Sequence, residues 1–237
     1  MRAFSLARAF SRLAVSGAPA VGRQFQAQLL HTSRTVLSVA PELSQALARE
    51  IDAEQQLSQN NLGGTAPATF PGFSITSKNA EVRLSKKHGS EDILVVFNVN
   101  HSVDMDEAYE DEVQPEAAPV PVALPPFTVE ITKGAERLVF HLELVESLEV
   151  QGEFDFRVEE FYVAPAAKDG NEDVADDVYA SSGKYIDPDL HDLLFVRYLE
   201  ERGFDVQFCK NLVEYATHYE HSQYVGLLSK IKSFVGK

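Results

Sequence analysis

The sequence predicts an α+β domain, and three observations carry that reading. Apolar and polar residues alternate through most of 73–163. Apolar stripes of helical period occupy only the two ends, 41–60 and 187–235. Asn- and Gly-bearing breaks separate the runs. Strand runs flanked by helices at both chain ends, rather than strands alternating with helices, exclude a parallel α/β sheet.

The first helix is expected over 41–60, where Leu43, Leu47 and Ile51 recur every fourth residue with Ala46 beside them. Asn60, Asn61, Gly63, Gly64 and Pro67 end it. Phe73 and Ile75 alternate in a short strand. Val82 and Leu84 alternate with Glu81, Arg83 and Ser85 in the next. After the turn at Gly89, the run from Ile93 to Val99 is apolar on both faces at its centre, as a central strand would be. Strands resume at 127–131 and 138–145. In 154–163 the apolar phase slips by one: Phe154, Phe156 and Val158 are even, Phe161 and Val163 odd. A β-bulge near Glu159 and Glu160 is the expected cause. Val178 and Tyr179 are expected to form one last short strand, making about seven in all.

Two helices follow. Asp187 and Pro188 form a helix start, the carboxylate as cap and proline in the first turn. Leu190, Leu193, Leu194 and Tyr198 share one face, and Gly203 stops the helix. Asp205 caps the last helix, whose stripe of Phe208, Leu212, Tyr215, Ala216 and Tyr219 steps by five residues to Tyr224, Leu227, Leu228, Ile231 and Val235. A bend or a change of packing partner is expected at that step. The terminal helices are the only elements available to cover the sheet's apolar face.

Charge divides the chain. Residues 1–41 hold Arg2, Arg8, Arg12, Arg23 and Arg34 and no lysine or acid. With −15 on the whole chain and +5 there, residues 42–237 carry −20. The first segment fits a mitochondrial presequence: Arg-rich, Ser-rich and acid-free. Leu6, Phe10, Leu13 and Ala14 give an apolar stripe, and Arg8 and Arg12 a basic flank. Cleavage is expected between Arg34 and Pro41. No apolar run is long enough for a membrane span. Residues 42–237 suit one domain.

Two acidic segments interrupt that domain. The stretch 101–126 carries Asp104, Asp106, Glu107, Glu110, Asp111, Glu112 and Glu116, then five prolines, and is expected to be a disordered insertion. The second segment holds Asp169, Glu172, Asp173, Asp176 and Asp177. These carboxylates are the candidate ligand contacts. A charge of −20 disfavours direct binding to nucleic-acid phosphates and favours basic proteins, cations or positively charged peptides. Diffuse, low-affinity calcium buffering is the alternative. Specific EF-hand binding is not supported. Counted from Asp169, Val174 replaces the required glycine and Ala180 the bidentate glutamate; counted from Asp104, Tyr109 and Pro115 do. His218 and His221 stand one turn apart without an evident third ligand, so they are expected to be solvated or hydrogen-bonded. The single cysteine, Cys209, excludes an intrachain disulfide and is expected to be a buried thiol. No phosphate loop, nucleophile elbow or placed carboxylate pair occurs. The expectation is therefore no enzyme, no cofactor and no metal site.

Three stretches carry a resemblance: LLFVRYLEERGFDV (193–206) with EHSQYVGLLSKIKSFV (220–235), AEVRLSKKHGSEDILVVFNVNHSV (80–103), and PPFTVEITKGAERLVFHLEL (125–144). Their order, the acidic insertion and the basic leader together resemble the mitochondrial acidic matrix protein family. This family is also called the mitochondrial glycoprotein family and has complement-component-binding and hyaluronan-binding relatives. The chain departs from it in having no tryptophan, Phe73 standing where relatives often have one. The resemblance implies a seven-stranded twisted antiparallel sheet flanked by one N-terminal and two C-terminal helices, and a homotrimeric ring in the mitochondrial matrix. It further implies a multiligand-binding, chaperone-like protein that supports mitochondrial translation, ribosome assembly and oxidative phosphorylation, with ribosomal or nucleoprotein components as partners and no established enzymatic activity. The residues lend the trimer weaker support: Leu94 and Val96 on an otherwise polar face, and tyrosine-rich terminal helices.

Exchanging Arg8 and Arg12 for Glu is expected to block import by removing the basic face. N-terminal sequencing of the protein from mitochondria should find residues 1–41 absent; a mature chain starting at Met1 would refute the leader.

Overall fold

The computed structural model describes residues 39–61, 68–100, 102, 122–147, 150, 152–167 and 177–237. Seven antiparallel strands lie in sequence order across one sheet: β1 (Ser74–Lys78), β2 (Glu81–His88), β3 (Glu91–Asn98), β4 (Phe127–Lys133), β5 (Glu136–Glu146), β6 (Phe154–Pro165) and β7 (Ser181–Ser182). Helix α1 (Ala40–Asn61) precedes them. Two helices follow. The run 188–200, here α2, is α-helical over Pro188–His191, π-helical over Asp192–Arg197 and α-helical again over Tyr198–Glu200. The last, α3, is Val206–Val235. This is the α+β architecture that the sequence predicts.

The period-2 pattern places one set of side chains on one face. Ile93, Val95 and Phe97 of β3 stand opposite Ile131, Val129 and Phe127 of β4, with Val82 and Leu84 of β2 and Phe140 and Leu142 of β5 beyond them. All are buried. Phe195 and Leu199 of α2 and Phe208, Cys209 and Leu212 of α3 cover this face. Phe208 meets the rings of Phe70, Phe73, Phe127 and Phe204 at 4.9–6.2 Å. Each such side chain contributes about 1.5–3 kcal/mol by leaving water.

The bulge falls where the phase slip predicts it. His141 pairs with Glu160 and Leu142 with Val158, leaving Glu159 as the extra residue of β6. The last strand differs from expectation. Val178 and Tyr179 are not paired, and Tyr179 is 84% exposed; Ser181 and Ser182 pair with Phe161 and Glu160 instead. Gly183 then passes so close to β6 that a Cβ there would lie 2.1 Å from the Val158 carbonyl oxygen. A glycine, not an apolar pair, fixes where the chain docks.

The stretch 101–126 also needs correction at its end. Ala123 is fully buried, Val122 and Leu124 pack on the core, and the Ala123 N–H donates to Thr217 Oγ1 at 2.9 Å. Its prolines had suggested an unstructured loop up to 126, but 122–126 form a packed lead into β4. Residues 103–121 lie outside the described residues, as do 1–38.

The helix ends follow the capping signals. Asp187 Oδ1 accepts from Asp189 N and Leu190 N, and Asp205 Oδ1 from Phe208 N. Gly203, at φ +93°, closes α2: Gly203 N bonds Glu200 O and Phe204 N bonds Leu199 O. The expected stripe of α2 splits, however. Leu194 and Tyr198 pack on the core while Leu190 and Leu193 face out. The wider π turn rotates the inward face onto Phe195 and Leu199. Helix α3 runs unbroken and changes partner at the five-residue step. Up to Tyr219 it lies on the sheet, and beyond it pairs with α1.

Arg202 pins α2 to the sheet. Its guanidinium donates to both oxygens of Glu91 at 2.8 and 3.1 Å and to Tyr198 O at 2.8 Å, and stacks 3.4 Å from the Tyr198 ring centre. Lys133 adds a bond to Glu91 at 3.4 Å. These bonds hold the Glu91 carboxyl below its ordinary range, the Arg202 hydrogen bond being the largest cause. A depressed folded pKa stabilises above the unfolded value of about 4.3 and loses that contribution as pH falls through the lower folded value. Arg202→Ala is expected to cost about 3–5 kcal/mol, by leaving a buried carboxylate unpaired. Glu91→Gln should flatten part of the acid limb of a stability–pH curve. Unchanged urea midpoints for Arg202→Ala would show the pair to be incidental.

Candidate ligand-binding surfaces

The two acidic segments leave the sheet at opposite ends. β3 runs toward the first segment and β4 returns from it, while β6 runs the other way into the second. A seven-residue strand such as β4 spans roughly 24 Å, so within one subunit the two roots cannot form a single site. The first root is clamped: Leu124 N donates to Ser102 O at 2.7 Å, and Ser102 Oγ to Val99 O at 2.9 Å. Of the candidate carboxylates only Asp177 is described, exposed in a turn. Asp104, Asp106, Glu107, Glu110, Asp111, Glu112, Asp169, Glu172, Asp173 and Asp176 lie outside the described residues.

Many cations of the folded surface are already engaged. Arg83 pairs with Glu81, Lys87 with Asp92, Lys184 with Glu159, and Arg157 with both Glu143 and Glu159. On the face away from the helices, Arg137, only 4% exposed, holds Glu130 at 3.0 Å. Beside it His141 bridges Thr128 at 3.0 Å and Tyr162 at 3.2 Å. Exposed pairs add little stability. Their consequence here is to leave the acidic excess to dominate the outer field.

Helices α1 and α3 form an arm. His221 Nδ1 lies 3.5 Å from Glu54 Oε2. Burial raises the Glu54 carboxyl, His221 opposing it and Glu50 adding to it; burial and Glu54 raise Glu220. His221 is thus a partner of a carboxylate. Among the described residues no group of three His, Cys, Asp or Glu could hold a metal. Leu47 and Leu228 are the buried leucines of the arm; Leu227 and Phe234 are exposed. Cys209 is fully buried, and burial, with Asp155 and Asp205 nearby, pushes its thiol up to about 12. It is an inert packing group.

Sequence reasoning missed one feature. A cavity of about 510 Å³ opens between β6, the π turn of α2 and the start of α3. Phe156, Phe195 and Phe204 line it, with the carboxylates of Asp155, Glu200 and Asp205. Its walls come from three separate segments. Only the five apolar residues crowded into 193–196 and 199 hinted that α2 has more than one apolar face.

Comparison with known proteins bears on this geometry. The family described as mitochondrial glycoprotein (MAM33) matches residues 47–235. The conserved regulator of innate immunity protein 3 of Caenorhabditis elegans is 68% identical over 237 residues, covering all of both chains. The human mitochondrial complement component 1 Q subcomponent-binding protein is 29% identical over 201 residues, covering 80% of this chain and 69% of its own. The mitochondrial acidic protein mam33 of Schizosaccharomyces pombe is 29% identical over 235 residues, covering 86% and 81%. Among solved structures, the Trypanosoma brucei p22 protein superposes with TM-score 0.62 at 21% identity over 83% of this chain and 98% of its own, a likeness of fold.

Proposed function

This chain belongs to the mitochondrial glycoprotein family, and on that premise we propose that it is an acidic, multiligand-binding, chaperone-like scaffold of the mitochondrial matrix, assembled as a homotrimer. Its ligands are basic proteins, among them ribosomal or nucleoprotein components, and through them it supports mitochondrial translation, ribosome assembly and oxidative phosphorylation. It carries out no reaction of its own. The mammalian relatives are named as complement-component-binding proteins; protein binding, rather than that particular ligand, is what we extend to this chain.

The observation that carries the reading is the −20 on residues 42–237. Three copies would gather −60 in one particle. A field of that size draws cationic partners to it and repels nucleic acid. The acidic segments at opposite ends of each sheet would let one particle hold a long basic chain at several points, which raises avidity without any single strong contact. The exposed apolar residues Leu227 and Phe234 of the arm favour self-association.

Replacing Asp106, Glu107, Glu110, Asp111 and Glu112 with Asn or Gln tests the mechanism. Binding to a basic ribosomal protein should weaken, mainly through slower association, and lose much of its salt dependence, while the melting temperature stays nearly constant. Calorimetry should give saturable uptake of that protein and only weak, multisite uptake of calcium. Unchanged affinity and salt dependence in the variant would move the binding surface off this segment, and a stoichiometric calcium site would favour the cation buffer.

A further inference from the structure

The outer edge of β6 is open beside the cavity. β7 pairs only with Glu160 and Phe161. Below the bulge, among the described residues, Phe154–Val158 has a strand on one side alone, β5. The direction of its backbone groups follows from one bond. Ser147 N donates to Glu153 O at 2.8 Å, so that pair exchanges bonds within the hairpin. Antiparallel ladders alternate, so Asp155 and Arg157 turn their N–H and C=O groups toward β5, and Phe154, Phe156 and Val158 turn theirs outward. The Phe156 N–H confirms it, being bonded to the side chain of Asp155 at 2.7 Å. Gly183, packed on the Val158 carbonyl, marks where the open stretch stops.

Three features therefore meet at one place: outward backbone donors and acceptors, an aromatic cavity, and carboxylates at its mouth. We propose that this edge is a docking site for an extended segment of a partner protein in which basic and large apolar residues alternate. The segment adds as a strand beside Phe154–Val158. Alternate side chains of an added strand point to opposite faces. One set enters the cavity over Phe156, Phe195 and Phe204, between the rims formed by Val196 (45% exposed) and Val206 (51% exposed). Its volume is within the range of ligand pockets, about 300–1,000 Å³. The flanking basic side chains meet Asp155, Glu200 and Asp205. Arg157, also at the cavity, does not oppose them, because Glu143 and Glu159 already hold it. The site rests on the scaffold reading only for the sign of the partner's charge, and adds to it a folded recognition site distinct from the acidic segments.

The test uses the full chain and a labelled seven-residue peptide of alternating Lys or Arg and Val or Phe. Two further peptides carry backbone N-methyl groups at every second residue, one in each phase, with charge unchanged. Fluorescence anisotropy should show saturable binding of the parent peptide, at least about tenfold weaker binding of one methylated phase, and near-parent binding of the other. Val196→Lys and Glu200→Lys, both at exposed positions, should each weaken the parent by about tenfold. Equal binding of both phases would overturn strand addition, since non-specific attraction to an acidic surface ignores phase. Unaltered affinity in Val196→Lys would place the peptide elsewhere and overturn the site. Concentration-dependent protection of the Phe154 and Phe156 amides from exchange, without peptide, would assign the edge to a second copy and overturn the partner. Testing the five-residue acidic variant with the same peptide separates the two readings. Affinity lost there, with Val196→Lys unaffected, overturns this site and leaves the scaffold; affinity kept there, with capture of basic proteins also kept, overturns the acidic-segment mechanism and leaves this site.

Discussion

A sheet whose strands follow sequence order has no crossover helices to cover it, and the rest of this structure follows from that constraint. Antiparallel neighbours are joined by short turns, so one face packed with Val82, Leu84, Ile93, Val95, Phe97, Val129 and Phe140 must be closed by the chain's ends. α2 and the first half of α3 do so, and they arrive after every strand has been made. Contacts between residues more than a hundred positions apart therefore hold the layer in place: Arg202 on Glu91, Lys86 on the Arg202 carbonyl, Tyr219 on Asn79. A fold closed by such distant contacts has high contact order and is expected to fold slowly for its size.

The pattern of the strands was plain in the sequence because one face is wet and the other dry, which is the condition that writes period 2 into a chain. The bulge at Glu159 was visible for the same reason: an extra residue inverts the phase for everything after it. Caps at Asp187 and Asp205 were legible because a single side chain fills each role. What escaped the sequence was set by packing. Ser181 and Ser182 carry no strand signal, and Gly183 decides their position by its missing Cβ. The π turn of α2 obeys no local propensity; it appears because turning Phe195 onto Phe140 and Phe161 satisfies the core better than the Leu190–Leu193 face would. Val122 to Pro126 looked like loop because proline signals a break, yet a proline-bearing segment can lie against a core when its neighbours' N–H groups find side chains such as Thr217.

The acidic segments are a different kind of feature, legible in composition and silent about geometry. Only their roots are placed by the fold, and these sit at opposite ends of the sheet. A ligand that bridges them must be long, or must engage more than one subunit. That favours extended basic chains over compact ions, because a compact ion gains nothing from carboxylates some tens of ångströms apart.

Charge also explains how an open strand edge is tolerated. Exposed edges invite pairing with any extended chain, and proteins usually blunt them with lysine, proline, a bulge or a covering element. Here β7 protects two residues of β6 and the bulge at Glu159 twists the strand, but Phe154–Val158 keeps its outward groups. Against copies of itself the protein has another defence. Each approaching subunit brings −20 toward the same carboxylates, and at close range that repulsion opposes edge-to-edge growth. The same field attracts a chain of opposite sign. An edge hazardous in a neutral protein is thus selective in this one, since net charge decides which extended chains come near enough to pair.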